Sequence, residues 1–418
     1  MSRTLAKKLA QVKPGTLLVG VDLGMDRNVA VIINEGGQRL AKFGFPHHQD
    51  GYAYFRRRLR ELQRHYQAPA VLVGMEPSNY MWKLLAAELE RHRLSYRLVN
   101  PFTVKKHREG DQLDRSKDDV RDAFTIADLL RTGKYTETQL LHGSYAELRQ
   151  YATLEERLGH ETTRHKNRLH AAIGQLFPEL KRVFKDLTGL TARAMLKRHA
   201  SATVIRELPE DDFIAAVRGD YEGRRLCVSK LRQTHRLAKI SVGLRDGVQA
   251  LQLMTRQELE ILILLERERK EAQEAMIECF LALPESRYLL SIHGLGLVSA
   301  AVILAEIGDP GHYRNGCQWI KLAGSQPTPN ISGRKSRSRT PMSRKGRPRL
   351  RTALFFAVMR LIQVDDAFAQ EYQRFWQREK RPLTKMQAVG VMMNKLLRIL
   401  WALVSKQTFY NPALVHTP

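Results

Sequence analysis

The segment that most constrains this chain is residues 116–123, Ser-Lys-Asp-Asp-Val-Arg-Asp-Ala. The spacing of Ile126, Leu129 and Leu130 predicts a helix over 117–130. Asp119 and Asp122 stand three apart, so both carboxylates fall on one face near its first turn. Two apolar runs upstream each end in an acid. Asp22 closes the first, Gly20-Val21-Asp22, and Glu76 closes the second, Val71-Leu72-Val73-Gly74-Met75-Glu76. Open α/β sheets gather their functional groups outside the carboxyl ends of the strands. The sequence therefore predicts that Asp22, Glu76, Asp119 and Asp122 meet, and hard cations such as Mg²⁺ want carboxylate oxygens converging in this way. A plainer reading is also open: Ser116-x-x-Asp119 fits a capping box, in which Asp119 only closes a helix end.

The pattern around these acids is that of an α/β unit. Strands are predicted at 17–21, 28–33 and 39–45, then a helix at 52–66, a strand at 70–75, a helix at 80–92, a strand at 96–99 and the Asp119 helix, stopped by Gly133. Three short consecutive strands suggest an antiparallel meander. The order βββ-α-β-α-β-α predicts a ribonuclease-H/RuvC-like domain over 16–140, preceded by a basic tail at 1–15. In such folds acids on the first strand, the fourth strand and the last helix surround metal ions. Residues 20–24, Gly-Val-Asp-Leu-Gly, also match the phosphate hairpin of actin-like ATPases and sugar kinases. That rival is weaker, because no second Asp-x-Gly hairpin and no Gly-Gly adenosine motif accompanies it.

Residues 141–285 are helical and highly charged. Leu148, Leu154, Leu158, His165 and Leu169 fall at roughly heptad spacing, and Leu259, Ile261, Leu262, Leu264 and Leu265 precede runs of Glu, Arg and Lys. Two long helices paired as a coiled coil explain this, with a smaller helical insert at 184–244 between them. Such a pair serves either as a linker or as a dimerisation arm. Residues 286–418 are expected to form a mainly α C-terminal domain. Within it Gly294-x-Gly296 resembles the hairpin of a helix-hairpin-helix, whose following backbone N–H groups can hold a phosphate.

Net charge is +26 over 418 residues, which points to a polyanionic partner, most simply nucleic acid. No apolar stretch of about 18 residues and no signal core is evident in the sequence, which predicts no membrane and a cytoplasmic, nucleoid-associated location. Cys227, Cys279 and Cys317 are widely spaced, so a zinc site is not expected. Residues 331–351 hold nine Lys or Arg and no acid. Arg334, Lys335, Arg337, Arg339, Arg344, Lys345, Arg347 and Arg349 are the predicted phosphate contacts there. The same segment has five Ser or Thr hydroxyls. Any of them could attack a phosphodiester if deprotonated beside a clamped phosphate, and composition does not choose among them.

Blocks spread along nearly the whole chain resemble one family. They are Gly20-Val21-Asp22; Met75-Glu76 followed by Tyr80 and Trp82; and Lys117-Asp118-Asp119-Val120-Arg121-Asp122-Ala123. Further along come residues 164–170 with 176–180, residues 292–296 and 305–309, Ala323-Gly324, Ser332-Gly333 and Ser343-Arg344-Lys345-Gly346. Together they resemble the DEDD-type insertion-sequence transposases, the bridge-RNA-guided serine recombinases of bacteria. One block departs from the family pattern, reading Lys117-Asp118-Asp119 where Lys-Thr-Asp is usual; the DxxDA register favours Asp119. The resemblance implies that Asp22, Glu76, Asp119 and Asp122 hold metal, with two Mg²⁺ per site, and that Ser332 is the nucleophile. It also implies donor and target DNA, a structured guide RNA and a homo-oligomer, dimer or tetramer, whose protomers combine the acidic and serine sites. Two other functions stay open at this point: a Holliday-junction-type resolvase cutting by metal-activated water, and a non-catalytic nucleic-acid scaffold.

Overall fold

The computed structural model describes residues 8–10, 12–77, 80–111, 118–137, 140–328, 331–332, 335–336 and 341–415. The chain divides into two compact units, Met1–Leu141 and His142–Pro418.

The first unit is built on a five-stranded mixed sheet in the order β3-β2-β1-β4-β5. Its strands are β1 (Leu17–Asp22), β2 (Arg27–Ile33), β3 (Arg39–Pro46), β4 (Val71–Met75) and β5 (Ser95–Leu98). The first three form an antiparallel meander, whereas β1 pairs parallel with β4 and β4 with β5. The central strands read as continuous apolar runs because both faces are covered. Leu17, Val19, Val21, Val71, Val73 and Met75 pack on one side with Phe55, Leu59, Leu85 and Leu89 of helices α1 (Gln49–His65) and α2 (Met81–Arg91). Leu18 and Leu72 face the other way, against Val104 of α3 (Pro101–Asp111) and Ala123, Ile126, Ala127 and Leu130 of α4 (Asp119–Arg131). The strands and three of these helices follow the sequence pattern. Helix α3 does not: its composition is polar and lacks a sustained apolar stripe, so the pattern gives no sign of it.

Among its described residues the second unit has helices and one short strand pair. Two 34-residue helices, α5 (Gly143–Leu176) and α10 (Val248–Leu281), run side by side. Glu155 pairs with Arg269 and His165 with Glu258, so one helix ascends as the other descends. The pair lies within one chain and joins two cores. Leu169, Ile173 and Leu176 of α5 and Leu259 and Leu262 of α10 enter one of them. That core is completed by a 3-10 turn at Pro178–Arg182 and by α6 (Leu190–Arg198), α7 (Ala202–Glu207), α8 (Glu210–Gly219) and α9 (Val228–Ala238). The opposite ends, Leu148 and Ala152 with Met276 and Phe280, enter the other core. Its remaining helices are α11 (Ser286–Leu289), α12 (Leu297–Ile307), α13 (Gly316–Ala323), α14 (Pro348–Val364), α15 (Asp366–Trp376) and α16 (Lys385–Lys406).

Helix α16 corrects one expectation. It is long and apolar enough to cross a membrane by length and composition, where the sequence reading found no such stretch. Its Val389, Met392, Met393, Leu396, Leu397 and Leu400 are buried in the second core, so its apolarity is spent on packing.

Candidate active site

Two glycines determine how α4 meets the sheet. A β-carbon on Gly20 would stand 1.9 Å from the carbonyl oxygen of Ala123, and one on Gly74 would stand 2.7 Å from Leu130. A side chain at Gly20 would meet the helix backbone and push it away, whereas one at Gly74 would displace the Leu130 and Ile126 side chains. Arg131, at the other end of α4, reaches Gly37 in the turn between β2 and β3. That turn lies at the start of β1, because Ile33 pairs with Leu18. The helix therefore runs antiparallel to β1, and its N-terminus lies toward the carboxyl end of the strand.

This arrangement draws the sequence-predicted acids toward one end of the sheet. Val21 is opposite Met75 in the parallel pairing, so the next residues, Asp22 and Glu76, extend from adjacent strand ends. Alternation puts Asp22 on the same face as Leu18 and Gly20, the face that α4 covers. Asp22 and Glu76 are half-buried, Asp122 is buried and Asp119 is exposed. Asp122 directly precedes Ala123, the residue seated on Gly20.

The adjacent aspartates divide their work. Asp118 is the N-cap, and its Oδ1 accepts the N–H of Val120 at 3.1 Å. The cap is therefore not Ser116, which lies outside the described residues, and Asp119 is the first helical residue. Carboxylates at this end also complement the helix dipole.

The four side chains offer only carboxylate oxygens, a set that would suit hard divalent cations better than zinc. Among the described residues no three His, Cys, Asp or Glu side chains stand close enough together to hold an ion in this arrangement.

The serine segment belongs to the second unit. Gly324, the left-handed C-cap of α13, lies against Gly346: a β-carbon on Gly346 would be 2.3 Å from the Gly324 nitrogen. From this root two strands of chain run out together. Arg344 N–H donates to Gly324 O at 2.9 Å, Ser343 N–H to Gln326 O at 2.9 Å and Thr328 N–H to Pro341 O at 2.8 Å. Farther out β6 (Ile331–Ser332) pairs antiparallel with β7 (Lys335–Ser336), with Ser332 opposite Lys335. Ser332 is thus a backbone position at the end of a paired arm; its side chain and those of Lys335 and Ser336 are not described. Arg334, Arg337 and Arg339 lie outside the described residues.

The other basic candidates separate into two kinds. Arg344 and Lys345 are exposed. Arg347 and Arg349 turn inward around Glu306, which is only 5% exposed. Arg349 donates to Glu306 Oε1 at 3.2 Å, pairs with Glu156 and reaches Thr153 at 3.0 Å. Arg347 donates to the Glu306 carbonyl, as does Arg149, at 2.8 Å from Nη2. Burial, with the nearby Arg347 charge, lowers Arg149 to about 10. Sequence reasoning missed Glu306 and Arg149. Only their joint placement by α5, α12 and the start of α14 reveals the network, which fastens the returning strand of the arm.

In the Gly294-x-Gly296 turn, Gly294 takes φ +89°, and a β-carbon there would strike Val364 at 2.2 Å. Gly296 is the N-cap of α12, with no side-chain cap on that helix.

Comparison with known proteins agrees with this layout. The DEDD transposase family model of the IS110 type matches residues 19–178, and the model described as "Transposase IS116/IS110/IS902 family" matches residues 286–373. The chain belongs to the DEDD-type IS110 transposase family. The transposase is 27% identical over 300 residues to an insertion element IS110 protein of 43.6 kDa from Streptomyces coelicolor, covering 71% of this chain and 72% of the relative. It is 26% identical over 337 residues to an IS117 mini-circle protein of the same organism, covering 77% and 78%. It is 34% identical over 128 residues to "Probable family 20 transposase" of Pseudomonas aeruginosa, covering 30% and 36%. The transposase is an enzyme that breaks and rejoins DNA, and the two matched regions contain the four sequence-predicted acids and Ser332 respectively.

Proposed function

We propose that this transposase cleaves and exchanges DNA strands through a divalent-metal carboxylate site and a covalent phosphoserine link, guided by a structured RNA. The observation that carries the reading is the parallel register of β1 and β4 with α4 seated on Gly20. It supports a reading in which Asp22, Glu76 and the Asp119–Asp122 turn work at one sheet end, the layout of a ribonuclease-H/RuvC-like domain. Asp22, Glu76, Asp119 and Asp122 would hold divalent ions, Mg²⁺ and two per site. When bound, such ions supply charge neutralisation and Lewis acidity at a phosphate.

The chain's own part is then concrete. Asp119 is exposed on the first turn of α4, where incoming phosphate arrives first, and buried Asp122 fixes the inner edge of the donor set. Ser332 Oγ attacks phosphorus. The Oγ–P bond forms, the strand's P–O bond breaks, the serine proton leaves, and the departing strand oxygen takes up a proton. Attack by a hydroxyl of the exchanged strand reverses the step and frees Ser332, so the phosphodiester energy is kept. Exposed Arg344 and Lys345 hold the backbone near the arm, with Arg334, Lys335, Arg337 and Arg339 beyond them, and the first turn of α12 after Gly296 offers backbone N–H groups to a phosphate. The acidic and serine sites combine across protomers of a homo-oligomer, and base pairing by the guide RNA supplies sequence choice.

The test is strand cleavage with RNA and both DNAs supplied. Asp119→Ala and Asp122→Ala should abolish Mg²⁺-dependent cleavage while leaving DNA binding. Cleavage that persists in both variants would remove the metal assignment. Loss of cleavage under every metal condition in the unmodified protein would favour a binding scaffold.

A further inference from the structure

The acids occupy the α4 face of the first unit's sheet. The opposite face, covered by α1 and α2, carries a row of exposed arginines. Helix α1 has five arginines in 17 residues, Arg56, Arg57, Arg58, Arg60 and Arg64, against Asp50 and Glu61. The chain as a whole has a net charge of +26 over 418 residues, so this helix is several times more basic than the average.

The arginines have different assignments. Arg56 turns inward to Glu88 of α2, which is 8% exposed and also takes Arg91 at 2.7 Å. Arg58 lies over the Phe43 ring and pairs with Glu61 at 2.6 Å. These two hold the helices in place. Arg57, Arg60 and Arg64 are spaced three and four apart, on the outward side of α1, and all three are exposed. Glu61, the anion beside them on the helix, is 3.9 Å from Arg57 and is already shared with Arg58. Arg91 and Arg93, at the end of α2 and just beyond, are exposed as well. Burial, and then the charges of Arg60 and Arg91 across the two helices, lower Arg56 and His92. The row from Arg57 to Arg64 spans about 10 Å of helix, a length over which a duplex presents about six phosphates. The Tyr54 ring lies under the Arg57 guanidinium, and exposed Tyr66 follows Arg64 at the end of the helix.

We propose that Arg57, Arg60 and Arg64, flanked by Arg91, bind the phosphodiester backbone of a nucleic-acid duplex on the face of the sheet opposite the acids. This duplex is held apart from the reacting strand and read without sequence, as expected of contacts to phosphates alone. The inference does not depend on metal or serine chemistry, since it concerns binding on a separate surface.

The experiment uses the full chain with a chelator present, so that cleavage does not enter. Affinity for a duplex RNA, a duplex DNA and a single strand is titrated across salt for the unmodified protein, for R57E/R60E/R64E and for R57K/R60K/R64K. The three side chains are exposed, so both variants should melt as the unmodified protein does. Stripped of three cations that would each neutralise a phosphate, the glutamate variant should bind duplex about tenfold or more weakly, with a salt slope shallower by about 2–3. The lysine variant should keep both. A loss confined to duplex RNA, or to duplex DNA, supports the proposal and names the source. Unchanged duplex affinity and slope in the folded glutamate variant would overturn it. So would an equal loss in the lysine variant, or a loss seen only with the single strand.

Discussion

Gly20 and Ala123 are in backbone contact: a β-carbon on the glycine would lie 1.9 Å from the alanine carbonyl oxygen. The clash is with backbone, so no side-chain rearrangement relieves it. Gly20→Ala should therefore lift α4 from β1 and cost about 2 kcal/mol or more. Cleavage should fall with stability, because the lift moves Asp119 and Asp122 away from Asp22. Thermal melting and cleavage of the variant check this; a protein unchanged in both would show that α4 is not seated on β1.

The neighbours Asp118 and Asp119 should give opposite phenotypes. Removing the Asp118 cap leaves the Val120 N–H without its acceptor. Asp118→Ala should lower stability by about 1 kcal/mol and leave most cleavage intact. Asp119→Ala removes an exposed carboxylate with no capping role, so it should melt normally and lose cleavage. Denaturant unfolding paired with a cleavage assay separates the two. Reversed phenotypes would mean that the adjacent acids have been assigned to each other's roles.

The arm has its weakest point at its root. A β-carbon on Gly346 would lie 2.3 Å from the Gly324 nitrogen, so Gly346→Ala must part the two strands that lead to Ser332. Covalent strand capture should drop strongly, about tenfold or more if the arm's geometry is lost. Metal-dependent chemistry at the acids should be unaffected. Capture at the unmodified level in Gly346→Ala would show that the root does not position the arm.

His199 sets a pH dependence of stability. It is buried at the edge of the Phe213 ring, and neither ring nitrogen has a hydrogen-bond partner among the described residues. Burial, then the nearby Arg198 charge, lowers it below its ordinary 6.5. The unfolded chain therefore binds a proton as pH falls through 6.5 while the folded chain still resists it, and stability is lost in that direction. His199→Gln should flatten the stability profile below pH 6.5 relative to the unmodified protein. Equal acid limbs in urea unfolding of the two proteins would refute the assignment.

The strand ends that carry Asp22 and Glu76, and the helix start that carries Asp119 and Asp122, were legible because apolar runs closed by an acid leave a linear signature. The meander, the parallel β4 and the two long helices were legible for the same reason, since their apolar periods are strong. Other features depend on contacts that a linear reading does not contain. Asp118 and Asp119 look alike in sequence, and only the backbone geometry at Val120 makes one of them the cap. Arg347 and Arg349 count as phosphate contacts by composition, yet buried Glu306 turns them inward. Helix α3 was missed because its residues are polar and its packing against α4 is tertiary. The apolar face of α16 was undervalued because Lys395 and Arg398 interrupt the run without disturbing the buried side.

The central claim joins a carboxylate site to a hydroxyl on the arm, and a covalent intermediate tests it most directly. DNA cleaved by the full chain with Mg²⁺ and guide RNA is denatured, the protein is digested, and any peptide still linked to DNA is sequenced. A DNA-linked peptide modified at Ser332 is expected, absent from Ser332→Ala and from Asp119→Ala. Strands cut at full rate by Ser332→Ala, with no protein attached to either end, would contradict it.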